Sequence, residues 1–297
     1  MRILHLDSGR QMRGGQWQVL ALHRGLLAAG HDSVLLARAG GPLAEEARRE
    51  GLPCGALSML RVAAASGGFD LIHAHDARSH TLAAIAGRAP LVVSRRVAFP
   101  VKDGVLSRWK YGRPRLFLAV SRFVAGELCR GGVDERRIEV VYDGVKLPEQ
   151  PAWGDAVVAP YTLDPEKGLD LAEEAARIAG VELVKSRDLP ADLRRARVLL
   201  YLTRSEGLGS GILLAMALGV TVVASNTGGI PELIAHGKNG LLVENDPASV
   251  AAALRAARES DGSLGSAARE AVRARFTEKH MVEATLAAYE KASGDGK

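Results

Sequence analysis

The sequence predicts an α/β protein made of two doubly wound parallel-sheet domains facing across a cleft. Three observations predict it. Short apolar runs alternate with helix-period segments along the chain, and that pattern requires a parallel sheet with helices on both faces. The alternation breaks at DGVKLPEQPAWGD (143–155), a stretch of turn residues, and then restarts. At 297 residues, the chain is long enough to bury two separate cores.

The elements follow in order. Arg2–Leu6 reads as a strand, and Gln16–Ala29 as a helix with apolar Trp17, Leu20, Leu26 and Leu27. Ser33–Ala37 is the next strand, Leu43–Glu50 a short helix, and Phe69–Ala74 a strand. Leu82–Ala86, Leu91–Ser94 and Leu116–Val120 read as helix, strand and strand; Ser121 caps the helix Arg122–Arg130, and Ile138–Tyr142 closes the half. After the 143–155 linker come strands Val157–Ala159, Val181–Val184, Val198–Leu202, Thr221–Ala224 and Leu241–Val243, with a helix over Gly168–Ala179. From Pro247 to Ala292 the pattern is helical throughout. The expected domains are 1–147, 148–275 and a final helical segment, 276–297.

Composition narrows the class. Hydrophobic content of 47% with 25% charged residues is that of a soluble globular protein. Met1-Arg2 runs directly into ILHL and then polar residues, so no signal peptide is expected. The longest apolar stretch, around Ile212–Ala224, is broken by Gly219 and Thr221 and is too short for a bilayer. The expectation is a cytoplasmic protein, at most peripheral at the inner membrane face. Cys54 and Cys129 match no metal spacing and read as inert packing residues.

Charge is unevenly placed. Residues 1–150 hold 22 Lys and Arg against 14 Asp and Glu, whereas the remainder is net acidic. Between Arg95 and Arg115 lie seven basic residues against Asp103 alone, interleaved with Phe99, Trp109, Tyr111 and Phe117. One reading is a solvated loop and helix face. The other is a surface for an anionic lipid or anionic acceptor, with Arg95, Arg96, Lys102 and Trp109 as its candidates. No nucleic-acid motif accompanies the charge, so no nucleic-acid partner is expected.

The most informative segment is 198–243. Val198–Leu202 ends in TRSEGLGSG, which opens into the apolar helix Ile212–Leu218. A strand, a glycine turn and a helix N-terminus together point backbone N–H groups at an anion. Glu206 sits in that turn, and a second turn, Thr227-Gly228-Gly229, follows the next strand. Two such turns at the carboxyl ends of parallel strands make a crevice for a phosphorylated ligand. The plain alternatives are that Glu206 caps the following helix N-terminus and that Lys167 is an exposed lysine after a Pro-Glu turn. GLGSG lacks the dinucleotide spacing, which disfavours a nicotinamide enzyme.

In order along the chain, RGGQ (13–16), DLIHAH (70–75), LAVS (118–121), VYDGV (141–145), DPEKG (164–168), SEGLG (205–209), TGGIPELI (227–234) and NGLLV (239–243) resemble family 4 of the retaining glycosyltransferases. That resemblance implies the GT-B architecture, two Rossmann-like domains with a last helix packing back on the first. It implies transfer of a sugar, with retention and without a metal or other cofactor, from a nucleotide-diphosphate donor to a polysaccharide or lipid-linked acceptor. It also suggests a role in cell-envelope polysaccharide synthesis. Lys167 then neutralises the donor diphosphate and Glu206 bonds the donor sugar. Gly14 and Gly15 allow close backbone approach, as do Gly228 and Gly229, while Ser205, Gly207, Leu208 and Gly209 line the donor pocket.

The chain departs from the family pattern in four places. Leu214 stands where a second glutamate grips the ribose. Tyr161-Thr162 replaces a Gly-Arg that binds pyrophosphate, and Arg96 replaces a histidine. The second domain is also short, with room for one brief helix between Val181–Val184 and Val198–Leu202. Arg204 and Arg96 are the candidates for the missing positive charge, with Thr162 beside them at the donor. An epimerase of the same fold and a non-catalytic scaffold are the alternatives. His73 and His75 share one strand face. A metal there needs further ligands, for which Asp76 or His80 is the nearest help, and none is expected. His75 is taken as the histidine that reaches the site; the plain alternative is a hydrogen-bonded pair at the sheet edge.

Overall fold

The computed structural model describes residues Met1–Gly294. The chain forms two compact units. One is Met1–Gly144 together with the chain from Glu278 onward, and the other is Val145–Thr277.

The first unit holds seven parallel strands: β1 (Arg2–Asp7), β2 (Asp32–Ala37), β3 (Cys54–Ala56), β4 (Leu71–Ala74), β5 (Leu91–Arg95), β6 (Leu116–Ala119) and β7 (Ile138–Val140). Their order is β3-β2-β1-β4-β5-β6-β7. The chain winds outward from β1 and then returns to its other side, so the topological switch point lies between β1 and β4. Helices α1 (Gly14–Ala28), α2 (Pro42–Arg49), α3 (Met59–Ala65), α4 (Ala77–Ala86), α5 (Val105–Gly112) and α6 (Arg122–Arg130) connect the strands. Ile3, Leu4 and Leu6 are all fully buried, because a strand with helices on both faces has no wet side.

The second unit holds β8 (Ala156–Pro160), β9 (Leu183–Ser186), β10 (Ala196–Tyr201), β11 (Thr221–Ser225) and β12 (Leu241–Val243). They too are parallel, in the order β12-β11-β10-β8-β9. Here the switch point falls between β8 and β10. The helices are α7 (Leu169–Ala179), α8 (Leu189–Leu193), α9 (Ser210–Ala217), α10 (Pro247–Glu259) and α11 (Ser263–Arg275). The last helix, α12 (Glu278–Ser293), belongs to the first unit. Its Met281, Val282, Ala288 and Tyr289 join the core made by Ile3, Leu22 and Leu71. Gly25 on α1 makes this contact possible, since a Cβ there would lie 2.5 Å from a Val282 methyl carbon.

Several local expectations need correction. The tail read as helical throughout is interrupted by turns and divides into three helices. Asp261 caps Ser263 through its side chain, and Gly262 takes φ +86°, so SDGS is a turn. The strand expected at Val181–Val184 lies at Leu183–Ser186, because Gly180 (φ +71°) ends α7 and Val181 N–H still bonds back to Ala176 O. Helices α3 and α5 and strand β3 were not read from the sequence; β3 is only three residues long and α5 buries no residue. Cys129 is exposed rather than packed. His73 lies at the sheet centre, not its edge, because β4 is the middle strand of seven.

Two predictions follow from this packing. Gly25→Val forces a branched side chain into the α1–α12 contact and should lower stability by about 2 kcal/mol, read as a shift in urea midpoint at constant m-value. The second concerns acid. Among the described residues, all five buried histidines (His5, His23, His73, His75 and His80) lie in the first unit. Burial holds His23 down to about 4 and His80 to about 3, and pushes the others well below the ordinary imidazole range. A lowered folded pKa means the unfolded chain binds protons first. This stability is complete above pH 6.5 and is lost as pH falls toward the folded values. At pH 5, His23 and His80 should each remove about 2 kcal/mol. Hydrogen exchange from pH 7 to pH 5 should show first-unit amides losing protection ahead of second-unit amides.

Candidate functional site

The loop leaving β8 brings in Lys167. Asp164 caps the turn Pro165–Lys167 by accepting from Glu166 N–H at 3.0 Å. Gly168 then takes φ +56° against Leu202, where a Cβ would lie 3.0 Å from the Leu202 Cβ. The loop leaving β10 brings in Glu206. The two loops are tied together by the Glu166 carbonyl, which accepts from Arg204 N–H at 2.9 Å and from the Thr203 hydroxyl at 3.2 Å. Both loops leave carboxyl ends of the strands that flank the switch point, where doubly wound sheets bind ligands.

There the Lys167 ammonium donates to Glu206 Oε2 at 2.9 Å. The Tyr201 hydroxyl donates to the same oxygen at 2.9 Å, and Glu206 Oε1 accepts from Gly207 N–H at 3.1 Å. Burial, reinforced by the Glu206 charge, pushes the Tyr201 phenol well up, so it remains a donor. The lysine side chain keeps 37% of its surface in solvent and the glutamate 17%. The second glycine turn supports this loop from behind: Gly229 N–H donates to the Glu206 carbonyl at 3.1 Å. Gly228 takes φ +57°, and a Cβ there would lie 2.0 Å from that carbonyl oxygen. No other residue fits this position.

A polar clasp, buried at Thr203 and Ser225, fixes the strand ends. Thr203 N–H donates to Ser225 Oγ, Ser225 Oγ donates to Asn245 Oδ1, and Asn245 Nδ2 donates to the Thr203 carbonyl. Leu208 is buried and Gly209 takes φ +108° just before α9 begins at Ser210. The Ser205 carbonyl accepts from Thr203 Oγ1 at 2.9 Å. A cavity of about 200 Å³ opens beside the pair, lined by Pro160, Thr162, Lys167, Gly168 and Tyr201 among others. Arg204 is exposed and pairs with Glu166 at 3.5 Å, and Leu214 is half-buried on α9. Sequence reasoning missed Tyr201, since a tyrosine ending an apolar strand looks like core. Its place five residues before Glu206 across a turn was the available signal.

The first unit builds a separate polar cluster at its own switch point. Asp7, at the end of β1, accepts from Gly9 N–H at 2.7 Å and from Gln16 Nε2 at 3.2 Å. Burial and the neighbouring Asp76 raise its pKa. Gly14 and Gly15 open α1, and a Cβ on Gly15 would lie 3.9 Å from the Arg96 side chain. Arg96 donates from Nε to Asp143 at 2.9 Å and lies 3.3 Å from His75 Nδ1. His75 Nε2 in turn lies 2.9 Å from His5 Nδ1. His73 spans Tyr289 Oη at 2.6 Å and Ser94 Oγ at 2.8 Å.

The third imidazole beside His73 and His75 is thus His5, not His80 or Asp76. Nitrogens of the three lie within 4.8 Å of one another. His73 and His75 have both nitrogens engaged and the Arg96 charge faces all three rings, which suits a neutral hydrogen-bonded stack better than a cation. His75 is therefore buried behind Arg96. Arg95 bonds the Tyr111 hydroxyl at 2.9 Å and the Phe99 carbonyl, while Lys102 and Trp109 are exposed.

Comparison with known proteins agrees with this architecture. A model described as "Glycosyltransferase Family 4" matches residues 12–148, and one described as "Glycosyl transferases group 1" matches residues 152–259. Anabaena Alr3699/HepE, solved in complex with UDP and glucose, is similar with a TM-score of 0.86 at 18% identity, over 97% of this chain and 98% of that one. A glycosyltransferase from Rickettsia africae gives 0.80 at 18% identity, over 98% of each chain. Among curated proteins, the α-maltose-1-phosphate synthase of Mycolicibacterium smegmatis is 35% identical over 122 residues, 38% of this chain and 32% of that protein. The N-acetyl-α-D-glucosaminyl L-malate synthase of Bacillus anthracis is 35% identical over 94 residues, 30% of this chain and 25% of that protein. The matched part of this chain thus spans a third or less of the length of these curated relatives. With both family models matching in order and two parallel-sheet units of the expected topology, the chain belongs to family 4 of the GT-B glycosyltransferases.

Proposed function

We propose that this protein transfers a sugar, with retention, from a nucleotide-diphosphate donor to a saccharide or lipid-linked acceptor. The observation that carries the reading is the Lys167–Glu206 pair at the switch point of the second sheet, 2.9 Å apart, with Lys167 and Tyr201 lining a cavity. The ammonium offers charge to a departing diphosphate, and the carboxylate accepts from hydroxyls of the sugar. The N–H groups at the start of α9 add positive potential, so the leaving group is stabilised electrostatically and the reading requires no metal. Thr162 lines the same cavity. UDP is the first nucleotide to test, because a structural neighbour is complexed with UDP and glucose; GDP follows, because a mycobacterial relative is named as GDP-mannose-dependent.

The acceptor side is assigned to the basic first unit. Helix α5 buries no residue, and Val105 and Leu106 are 84% and 82% exposed beside exposed Phe99, Trp109, Lys102 and Arg108. Exposed apolar and basic side chains on one short segment suit peripheral contact with an anionic membrane, where a lipid-linked acceptor of envelope synthesis is found.

A thermal-shift screen of UDP, GDP and ADP should find one that stabilises the protein. Lys167→Ala should weaken that nucleotide at least tenfold, since a charge-assisted contact is worth about 1.5–3 kcal/mol. Glu206→Ala should lower turnover far more than nucleotide affinity; equal losses would remove its contact with the sugar. Product formed from donor alone would make the protein an epimerase, and binding without turnover a scaffold.

Sedimentation with vesicles containing phosphatidylglycerol should pull the protein down, while phosphatidylcholine vesicles should not. Leu106→Ser with Trp109→Ala should abolish that difference. Equal binding to both vesicle types would count against the anionic contact.

A further inference from the structure

In the observed arrangement Lys167 is committed to Glu206, yet the donor reading asks it to serve a diphosphate. Lysine is a compact charge on a flexible stem, and this one keeps a third of its surface in solvent, so an incoming diphosphate can draw it away. Glu206 then loses one of the two donors on Oε2. The remaining one is Tyr201, at 2.9 Å.

We propose that Tyr201 is the positioning residue of this site, its hydroxyl holding Oε2 of Glu206 so that the carboxylate keeps its aim after Lys167 moves to the diphosphate. The inference rests on the donor reading above. Three features carry it. The first is that the bond is neutral on the tyrosine side, so Tyr201 does not compete for phosphate as a lysine or arginine would. The second is the division of the carboxylate. Oε2 takes Tyr201 and Lys167, while Oε1 takes Gly207 N–H. A carboxylate oxygen offers two lone pairs, so with Oε2 anchored, Oε1 presents its second one to a sugar hydroxyl.

The third is that the ring itself is fixed. Tyr201 is the last residue of β10, and Gly211 on α9 leaves space for it. A Cβ at 211 would lie 3.1 Å from the Tyr201 ring and 3.1 Å from Leu189. The backbone of Gly211 has no left-handed φ, so room for the tyrosine ring, not backbone conformation, accounts for the missing side chain. The second glycine of GSG is thereby assigned to Tyr201 and not to phosphate.

The test is Tyr201→Phe, which removes one oxygen and leaves the ring packing intact. Expected is a kcat at least tenfold lower with nucleotide-diphosphate affinity within twofold of wild type and an unchanged melting temperature. Lys167→Ala should show the reverse weighting, with nucleotide affinity falling first. A Tyr201→Phe protein with kcat within twofold of wild type overturns the proposal. So does one losing kcat and UDP affinity in equal proportion, since the ring would then be a plain wall of the pocket. A second measurement does not depend on the donor: in a crystal structure of Lys167→Met, Glu206 should stay bonded to Tyr201, and a carboxylate swung away from it overturns the positioning role. Should wild-type protein bind none of UDP, GDP or ADP, the donor reading fails and takes the sugar-directed role with it.

Discussion

The second unit is organised around one carboxylate. Glu206 is held at the carboxyl end of β10 by contacts on its backbone and side chain alike. The ion pair with Lys167 does not account for this order. With more than a third of the lysine side chain in solvent, such a pair is worth on the order of 0–1 kcal/mol. What fixes the loop is the approach of Gly228 to the Glu206 carbonyl and the clasp of Thr203, Ser225 and Asn245 beneath it. A weakly coupled ammonium on a firmly held carboxylate is suited to exchange its partner for a ligand phosphate.

The first unit makes the opposite choice. Its Arg96–Asp143 pair is mostly withdrawn from water, with the side chains 15% and 9% exposed, and His75 and His5 continue the polar contact into the core. Removing one partner of such a pair leaves an uncompensated buried charge, so Arg96 is structurally committed in a way that Lys167 is not. The price of that arrangement is acid sensitivity, because neutral imidazoles stacked behind a guanidinium resist protonation only while the unit stays folded. The last helix is part of the same commitment, with the Tyr289 hydroxyl meeting His73 through the core.

The basic segment between Arg95 and Arg115 separates into two groups that no charge count distinguishes. Arg95 bonds the Tyr111 hydroxyl and the Phe99 carbonyl, and Lys110 donates to the Ala77 carbonyl; these charges fasten the segment to the body of the unit. Lys102 and Arg108 remain exposed beside Val105, Leu106 and Trp109.

From its residues alone the chain determined its class and most of its punctuation. Apolar runs such as Val198–Leu202 and Thr221–Ala224 can be satisfied only as buried parallel strands, and the glycine turns that follow them had to lie at the strand ends. Glu206 stood out because a lone carboxylate in a glycine turn is a local feature, whereas Lys167 was singled out only through the resemblance of DPEKG to the family pattern. What the sequence could not specify was any contact that depends on which strands are neighbours. That His5 stands in register with His73, that Gly228 abuts Glu206, and that Tyr201 rather than a charged residue shares the Glu206 oxygen are all set by strand order and register. Those are collective properties of the packed sheet. A residue's own neighbours in the chain do not encode them, and so only the tertiary structure decided them.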